Sequence, residues 1–177
     1  MASLAQRTRP AAKDALKPPP TPPPGPFIDD YLAYLLARAS HLISAEFHVL
    51  VHRARLPVMQ WRVMAALADG QSTSIGEVAA IVLTPQSTLT RVAERMVKAG
   101  LLRRADDVAD RRITRIELTA AGLELARTLV AQANEHEAAV LGALSAADAA
   151  DAATLKRILR RLIEQHALLA TDVADQR

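Results

Sequence analysis

The chain of 177 residues contains no cysteine, and that absence removes a whole group of chemistries. Without thiols there are no disulfides, no thiolate metal site and no cysteine redox switch. Glycine is also scarce, with six residues scattered along the chain, which disfavours a glycine-rich loop that cradles nucleotide phosphates. No nucleophile–base pair or metal-ligating cluster stands out in the sequence. We therefore expect that the protein is not an enzyme and that it binds no cofactor and no metal ion.

Long apolar runs are missing as well. A helix that spans a bilayer needs about 20 consecutive apolar residues, and the sequence has no such stretch. The N-terminal residues also lack the apolar segment of a secretory signal. These features predict a cytoplasmic protein that does not contact a membrane, and its length suits one domain with its own core.

Charge and proline are concentrated in the N-terminal segment. Residues 1–26 hold eight of the ten prolines, together with four basic residues and one acidic residue. Residues 27–177 carry 18 basic and 18 acidic residues, so the net charge of +3 belongs to the tail. The composition predicts a disordered, proline-rich basic tail over 1–26 ahead of a single domain over 27–177. The tail either adds contacts to phosphates or has no role, and both interpretations stay open.

Two short helices joined by a turn are predicted between Ser74 and Gly100. Ser74 and Glu77 have the spacing of a capping box, in which each side chain satisfies a backbone N–H of the other residue. Thr84 is predicted to cap the second helix, with Pro85 at its first position and Gly100 at its end. This arrangement is typical of a helix-turn-helix.

The second helix has a polar face that suits duplex DNA. The face starts with short hydrogen-bonding side chains and continues with arginine, as expected for a helix that enters the major groove with its N-terminal end. Gln86 and Arg95 lie on the same face. The candidate DNA-binding residues on it are Ser87, Thr88, Thr90 and Arg91.

After Gly100 the apolar pattern changes from helical to alternating. Residues 101–104 and 111–118 are predicted to form two strands joined by a loop of small and acidic residues. We call this hairpin the wing. A basic hairpin beside a recognition helix can place an arginine in the minor groove or on phosphates. The basic residues on its two arms are Arg103, Arg104, Arg111, Arg112 and Arg115.

Together these segments resemble the MarR (multiple antibiotic resistance regulator) family of transcription regulators. The matching residues are 56–64, 101–104 and, most specifically, the wing, where Asp110-x-Arg112 is followed after six residues by Thr119-x-x-Gly122. The wing tip departs from the family, because Val108 stands where a proline is common. The resemblance implies a mainly α fold with a small β-hairpin wing. In that fold residues 56–119 form a winged helix-turn-helix, and residues 27–55 and 120–170 form dimerisation helices.

The resemblance also implies roles for individual wing residues. Arg112 corresponds to the arginine that enters the minor groove, and Asp110 corresponds to the acid that orients it. For Arg111, contact with DNA and a solvated strand end remain equally open. The positions at which the family contacts bases and phosphates are Ser87, Thr88, Thr90 and Arg91. The implied function is a sequence-specific regulator, usually a repressor, that binds a palindromic duplex as a homodimer.

The aromatic residues suggest a regulatory site. All five lie between Phe27 and Trp61. One stripe of the first predicted helix contains Tyr31, Tyr34, Arg38 and His41. This stripe can line a pocket for an aromatic carboxylate, a ligand class to which members of the family often respond; packing in a dimer interface is the alternative. His48 and His52 have the spacing of metal ligands, but without a third ligand they predict no metal site.

A second function remains open from the residues alone. A winged-helix domain can serve as a protein–protein interaction module that has no specific affinity for DNA, because a fold does not determine a function. In that case charge reversal on the polar helix face or on the wing would leave DNA binding unchanged, since there would be none.

Overall fold

The computed structural model describes residues 25–106 and 113–174. Over these residues a 3-10 turn at Phe27–Asp29 precedes six α-helices and three strands. The helices are α1 (Leu32–Arg53), α2 (Val58–Ala66), α3 (Ile75–Ile81), α4 (Gln86–Lys98), α5 (Ala120–Gly142) and α6 (Ala146–Ala174); the strands are β1 (Thr73–Ser74), β2 (Leu102–Asp106) and β3 (Thr114–Leu118). The predicted mainly α fold with a small hairpin is confirmed. Nowhere in these ranges does a helix combine the length and hydropathy that a bilayer-spanning segment requires.

The chain divides within α1 into two compact units, Met1–Ser40 and His41–Arg177. In the described part of the first unit, the rings of Phe27 and Tyr31 stack with their centroids 4.9 Å apart. The second unit contains the sheet, the helix-turn-helix and a core to which α2, α4, the sheet and α5 all contribute. Its largest fully buried side chains include Met64, Leu67, Leu89, Met96, Leu102, Ile116 and Leu129.

Helix α4, the predicted recognition helix, is held by its apolar side. Leu89, Val92 and Met96 recur at helical spacing and are buried, and Leu89 and Met96 have no exposed surface. The N-terminus differs from the prediction, because Pro85 rather than Thr84 is the N-cap residue and α4 begins at Gln86. The N–H of Thr84 instead donates to the carbonyl of Ala79 and closes the turn after α3.

The sheet has the order β1-β3-β2, and both of its pairings are antiparallel. In the wing Leu102 lies opposite Leu118, and Arg104 lies opposite Ile116. On its other side Ile116 pairs with Thr73 of β1. This third strand was not predicted, but it attaches the wing directly to the start of α3 and so positions the two parts of the motif together.

Candidate nucleic-acid interface

The start of α3 is fixed by the predicted capping box. The N–H of Ser74 donates to a carboxylate oxygen of Glu77 at 2.9 Å, and the N–H of Glu77 donates to Oγ of Ser74 at 3.2 Å. Because Ser74 also belongs to β1, this cap joins the sheet to the helix-turn-helix. The turn that follows contains Leu83 in the left-handed region, at φ 55°, with 90% of its surface exposed.

The polar face of α4 presents three of its four predicted DNA-binding residues to solvent. Ser87, Thr88 and Arg91 are exposed, whereas Thr90 is half-buried. The hydroxyl of Thr90 donates to the carbonyl oxygen of Gln86 at 2.9 Å. Thr90 therefore has no hydroxyl hydrogen left for a base and can act only as an acceptor.

The positive charge of α4 increases toward its C-terminus. Arg95 and Lys98 lie in the last turn, where cations interact favourably with the helix dipole. Arg91 is exposed one turn before Arg95, and within the described ranges it makes no hydrogen bond or ion pair. Its guanidinium group is therefore available to an external anion.

The predicted wing residues Asp110, Arg111 and Arg112 lie outside the described residues. On the two arms, Arg103 pairs with Glu117 across the strands at 2.8 Å. Arg104 lies 3.7 Å from Glu94, so this contact links the wing to α4. These pairings neutralise part of the basic charge that the sequence places on the wing.

Arg115 has a role that the sequence did not reveal. Its guanidinium donates to the carbonyl oxygen of Ser72 at 2.8 Å, in a half-buried position. The bond ties β3 to the residue that precedes β1 and stabilises the narrow edge of the sheet. Among the arginines of the arms, Arg115 is thus a structural residue.

The Thr-x-x-Gly motif that follows the wing forms a structural joint. The hydroxyl of Thr119 donates to the carbonyl oxygen of Gly100 at 2.6 Å and accepts the N–H of Gly122 at 3.1 Å. The N–H of Thr119 donates to the carbonyl oxygen of Leu101 at 3.1 Å. A Cβ at Gly122 would lie 2.1 Å from that same oxygen, so only glycine fits. We call these four residues the wing-root joint.

A cavity of about 270 Å³ lies where the two helices of the motif meet the wing. Its lining residues are Ser74, Ile75, Gly76, Gln86, Ile113 and Thr114. Polar and apolar groups contribute to its wall, and Gln86 brings the first residue of α4 into it. Sequence reasoning missed this neighbourhood, because its members are far apart in the chain.

Three of the predicted ligand residues, Tyr34, Arg38 and His41, lie on α1, and Tyr31 immediately precedes it. Tyr31, Tyr34 and Arg38 are exposed in the first unit, and His41 is exposed at the start of the second. Within the second unit, burial lowers the pKa of His48 below its ordinary value, and nearby Arg62, His52 and His41 lower it further. The described residues contain no group of three or more side chains that could hold a metal ion.

The comparisons with known proteins point to one family. The MarR family model matches residues 56–113. A curated relative, the HTH-type transcriptional repressor IacR of Pseudomonas putida, is 30% identical over 96 residues, which are 54% of this chain. The chain spans 58% of the length of that relative.

Two solved structures extend the match over most of the chain. A MarR family transcriptional regulator from Silicibacter pomeroyi DSS-3 is 41% identical, with a TM-score of 0.69; the match covers 79% of this chain and 98% of that one. BpsR of Bordetella bronchiseptica, described as regulated in its DNA binding by 6-hydroxynicotinic acid, is 28% identical, with a TM-score of 0.64 and coverage of 78% and 97%. On this evidence the chain belongs to the MarR family of transcriptional regulators.

Proposed function

We propose that this protein is a homodimeric repressor that binds a palindromic DNA duplex and is released by a small aromatic acid. The observation that carries the proposal is the two-sided character of α4. One side is fully buried through Leu89 and Met96, while Ser87, Thr88 and Arg91 remain exposed on the other side. A helix anchored in this way presents its polar face to the major groove without any rearrangement of the core.

The proposed contacts divide between base edges and phosphates. Ser87 and Thr88 offer hydroxyl groups that donate or accept at base edges, and Thr90 offers an acceptor alone. Arg91 is suited to a phosphate or to the edge of a guanine. In the wing, Arg112 is proposed to enter the minor groove with Asp110 orienting it, and Arg111 to add a phosphate contact.

Binding is proposed to depend on these local contacts rather than on a general attraction. Residues 27–177 carry equal numbers of basic and acidic side chains, so no large net charge draws this region toward DNA. Affinity should therefore fall with salt according to the number of phosphates contacted by residues such as Arg91 and Arg112.

The proposed dimer is supported by exposed apolar side chains on long helices. Leu155, Ile158 and Ile163 of α6 are each more than two-fifths exposed. Isolated surface leucines and isoleucines are common, but three on one helix favour a covered face. Two copies of α4 spaced one helical turn apart would read a palindrome.

The proposed ligand class is supported by a relative and by local charge. 6-Hydroxynicotinic acid, which regulates BpsR, is an aromatic acid. In the second unit of this chain, Arg62, His41 and His52 lie close enough to His48 to lower its pKa, and a cluster of basic side chains of this kind suits an anion. Tyr31, Tyr34 and Arg38 of the first unit are proposed independently as aromatic and cationic contacts.

The test is a binding titration with the full chain and the duplex upstream of its own gene, at two salt concentrations, against a scrambled duplex. Tight, salt-sensitive binding to the native duplex alone is expected. Changing Arg91 or Arg112 to alanine should weaken it by about 1–3 kcal/mol, whereas Arg127→Ala on α5 should not. Equal weak binding to both duplexes would contradict the proposal and favour a protein-interaction module.

A further inference from the structure

Gln86, the first residue of α4, has the chemistry of a base reader. We propose that Gln86 sets the base preference at one position in each half of the operator, with adenine as the preferred base. This inference rests on the proposed function and names a specificity determinant for it. A glutamine amide carries a donor and an acceptor on one planar group, which matches N7 and N6 of adenine in the major groove.

The first turn of α4 leaves this role to Gln86. The side chain is exposed, and within the described ranges its amide has no hydrogen-bond partner. The neighbouring hydroxyl of Thr90 is already committed, because it donates to the main-chain carbonyl of Gln86. Of the remaining polar side chains in this turn, Ser87 and Thr88 carry single hydroxyl groups that pair with several bases.

Gly76 of α3 provides the space in which the Gln86 amide sits. A Cβ at Gly76 would lie 3.7 Å from Oε1 of Gln86 and 4.0 Å from its Cδ. These are ordinary van der Waals distances, so a methyl group fits there, but a longer side chain would meet the amide. Both residues line the cavity between the helix-turn-helix and the wing. A side chain longer than a methyl group at position 76 would therefore displace the Gln86 amide.

The experiment starts from a randomised duplex library, from which the full chain selects its preferred sequence. Dissociation constants are then measured for the selected duplex and for variants changed symmetrically at each position. The wild-type protein should prefer adenine at one position, and Gln86→Ala should lose roughly tenfold or more of that discrimination. Preferences at other positions and the salt dependence should stay as they are. Gln86→Glu should shift the preference toward cytosine, whose amino group donates to a carboxylate.

Two changes at Gly76 test the positioning. Gly76→Ala should keep the wild-type preference, because a methyl group stays at contact distance. Gly76→Leu should lose discrimination at the same position as Gln86→Ala. If Gly76→Leu fails to fold, as judged by circular dichroism, the Gln86 variants still decide the question, because that side chain is exposed.

Each remaining outcome has a definite meaning. If Gln86→Ala selects the wild-type sequence with the same discrimination at every position, the inference is overturned while the proposed function stands. A uniform loss of affinity across all duplexes also overturns it, because it would assign Gln86 to a phosphate. If the wild-type protein selects no sequence at all, the proposed function fails, and the inference fails with it.

Discussion

The helices α4 and α6 make opposite use of their apolar residues. In α4 Leu89, Val92, Ala93 and Met96 are buried by other elements of the same chain. In α6 none of the described side chains is buried, and Ile163 is 68% exposed. The region that reads DNA in our proposal is thus complete within one chain. The region assigned to dimerisation displays apolar surface that a second copy would cover.

The largest expected effect is on the stability of the region that is buried within one chain, and it comes from a change at the wing-root joint. Gly122→Ala places a Cβ 2.1 Å from the carbonyl oxygen of Leu101, so the backbone of the joint must move. We expect a loss of about 3 kcal/mol or more in the free energy of unfolding, measured by urea denaturation.

The matched control lies at the other end of the same helix. A Cβ at Gly142 meets nothing within 4 Å, so Gly142→Ala should leave stability unchanged or raise it by about 0.5–1 kcal/mol. Equal effects of the two changes would show that the joint yields easily and that the close contact of Gly122 is unimportant.

A second prediction addresses the uncovered region. Ile163→Glu should weaken the proposed dimer by about 2 kcal/mol, because a buried carboxylate without a partner is costly. Sedimentation velocity over a range of concentrations measures the change, and Arg161→Glu, an exposed charge reversal on the same helix, is the control. An unchanged monomer–dimer equilibrium would remove Ile163 from the interface.

The third prediction concerns Leu83, an exposed leucine in the turn between α3 and α4. Leu83 is 90% exposed and adopts φ 55°, a conformation that costs energy for any residue with a Cβ. Leu83→Gly should therefore raise the free energy of unfolding by about 0.5–1 kcal/mol. Leu83→Ala keeps the strain and should change little. If both variants lose stability equally, the exposed leucine side chain itself stabilises the fold.

The smallest expected effect is on the pH dependence of stability, and it comes from His48 of α1, which lies near Arg62 of α2. The pKa of His48 is below its ordinary value of 6.5, so the unfolded chain binds more protons than the folded chain as the pH falls below that value. As the pH falls below 6.5, stability should decline until the pH has passed the pKa of His48 in the folded protein. His48→Gln should flatten that decline in urea titrations at pH 7.5, 6.5 and 5.5. Parallel curves for the two proteins would contradict it.

Features encoded by short stretches of sequence were predictable. The Ser74–Glu77 capping box needs only residues three apart, and the end of α4 needs only Gly100, which adopts φ 73°. The Thr119-x-x-Gly122 spacing identified the family, and the structure explains it as a joint rather than a DNA contact. Local backbone chemistry determines the first two, whereas the third was recognised by resemblance and its contacts reach back to Gly100 and Leu101.

Features that depend on distant residues were not predictable. The strand β1 has two residues, too few for an alternating pattern, and exists because β3 pairs with it. The hydroxyl of Thr90 turned inward to a backbone carbonyl, which its place on a polar face did not indicate. The approach of Gln86 to Gly76 depends on the crossing of α3 and α4. The fold was therefore easier to predict than the chemistry of its polar face.

The wing-root joint couples the direction of α5 to the position of the wing and of α4. The helix has 23 residues and is roughly 34 Å long, and its first turn is fastened to the end of α4 and the start of β2. If α5 turned by about 5° about its C-terminal end, its N-terminal end and the wing attached to it would move by about 3 Å. This distance is close to the rise of one base pair, ~3.4 Å. In the proposed function, a ligand bound far from the DNA would then need only a slight change of angle to move α4 out of register with the operator.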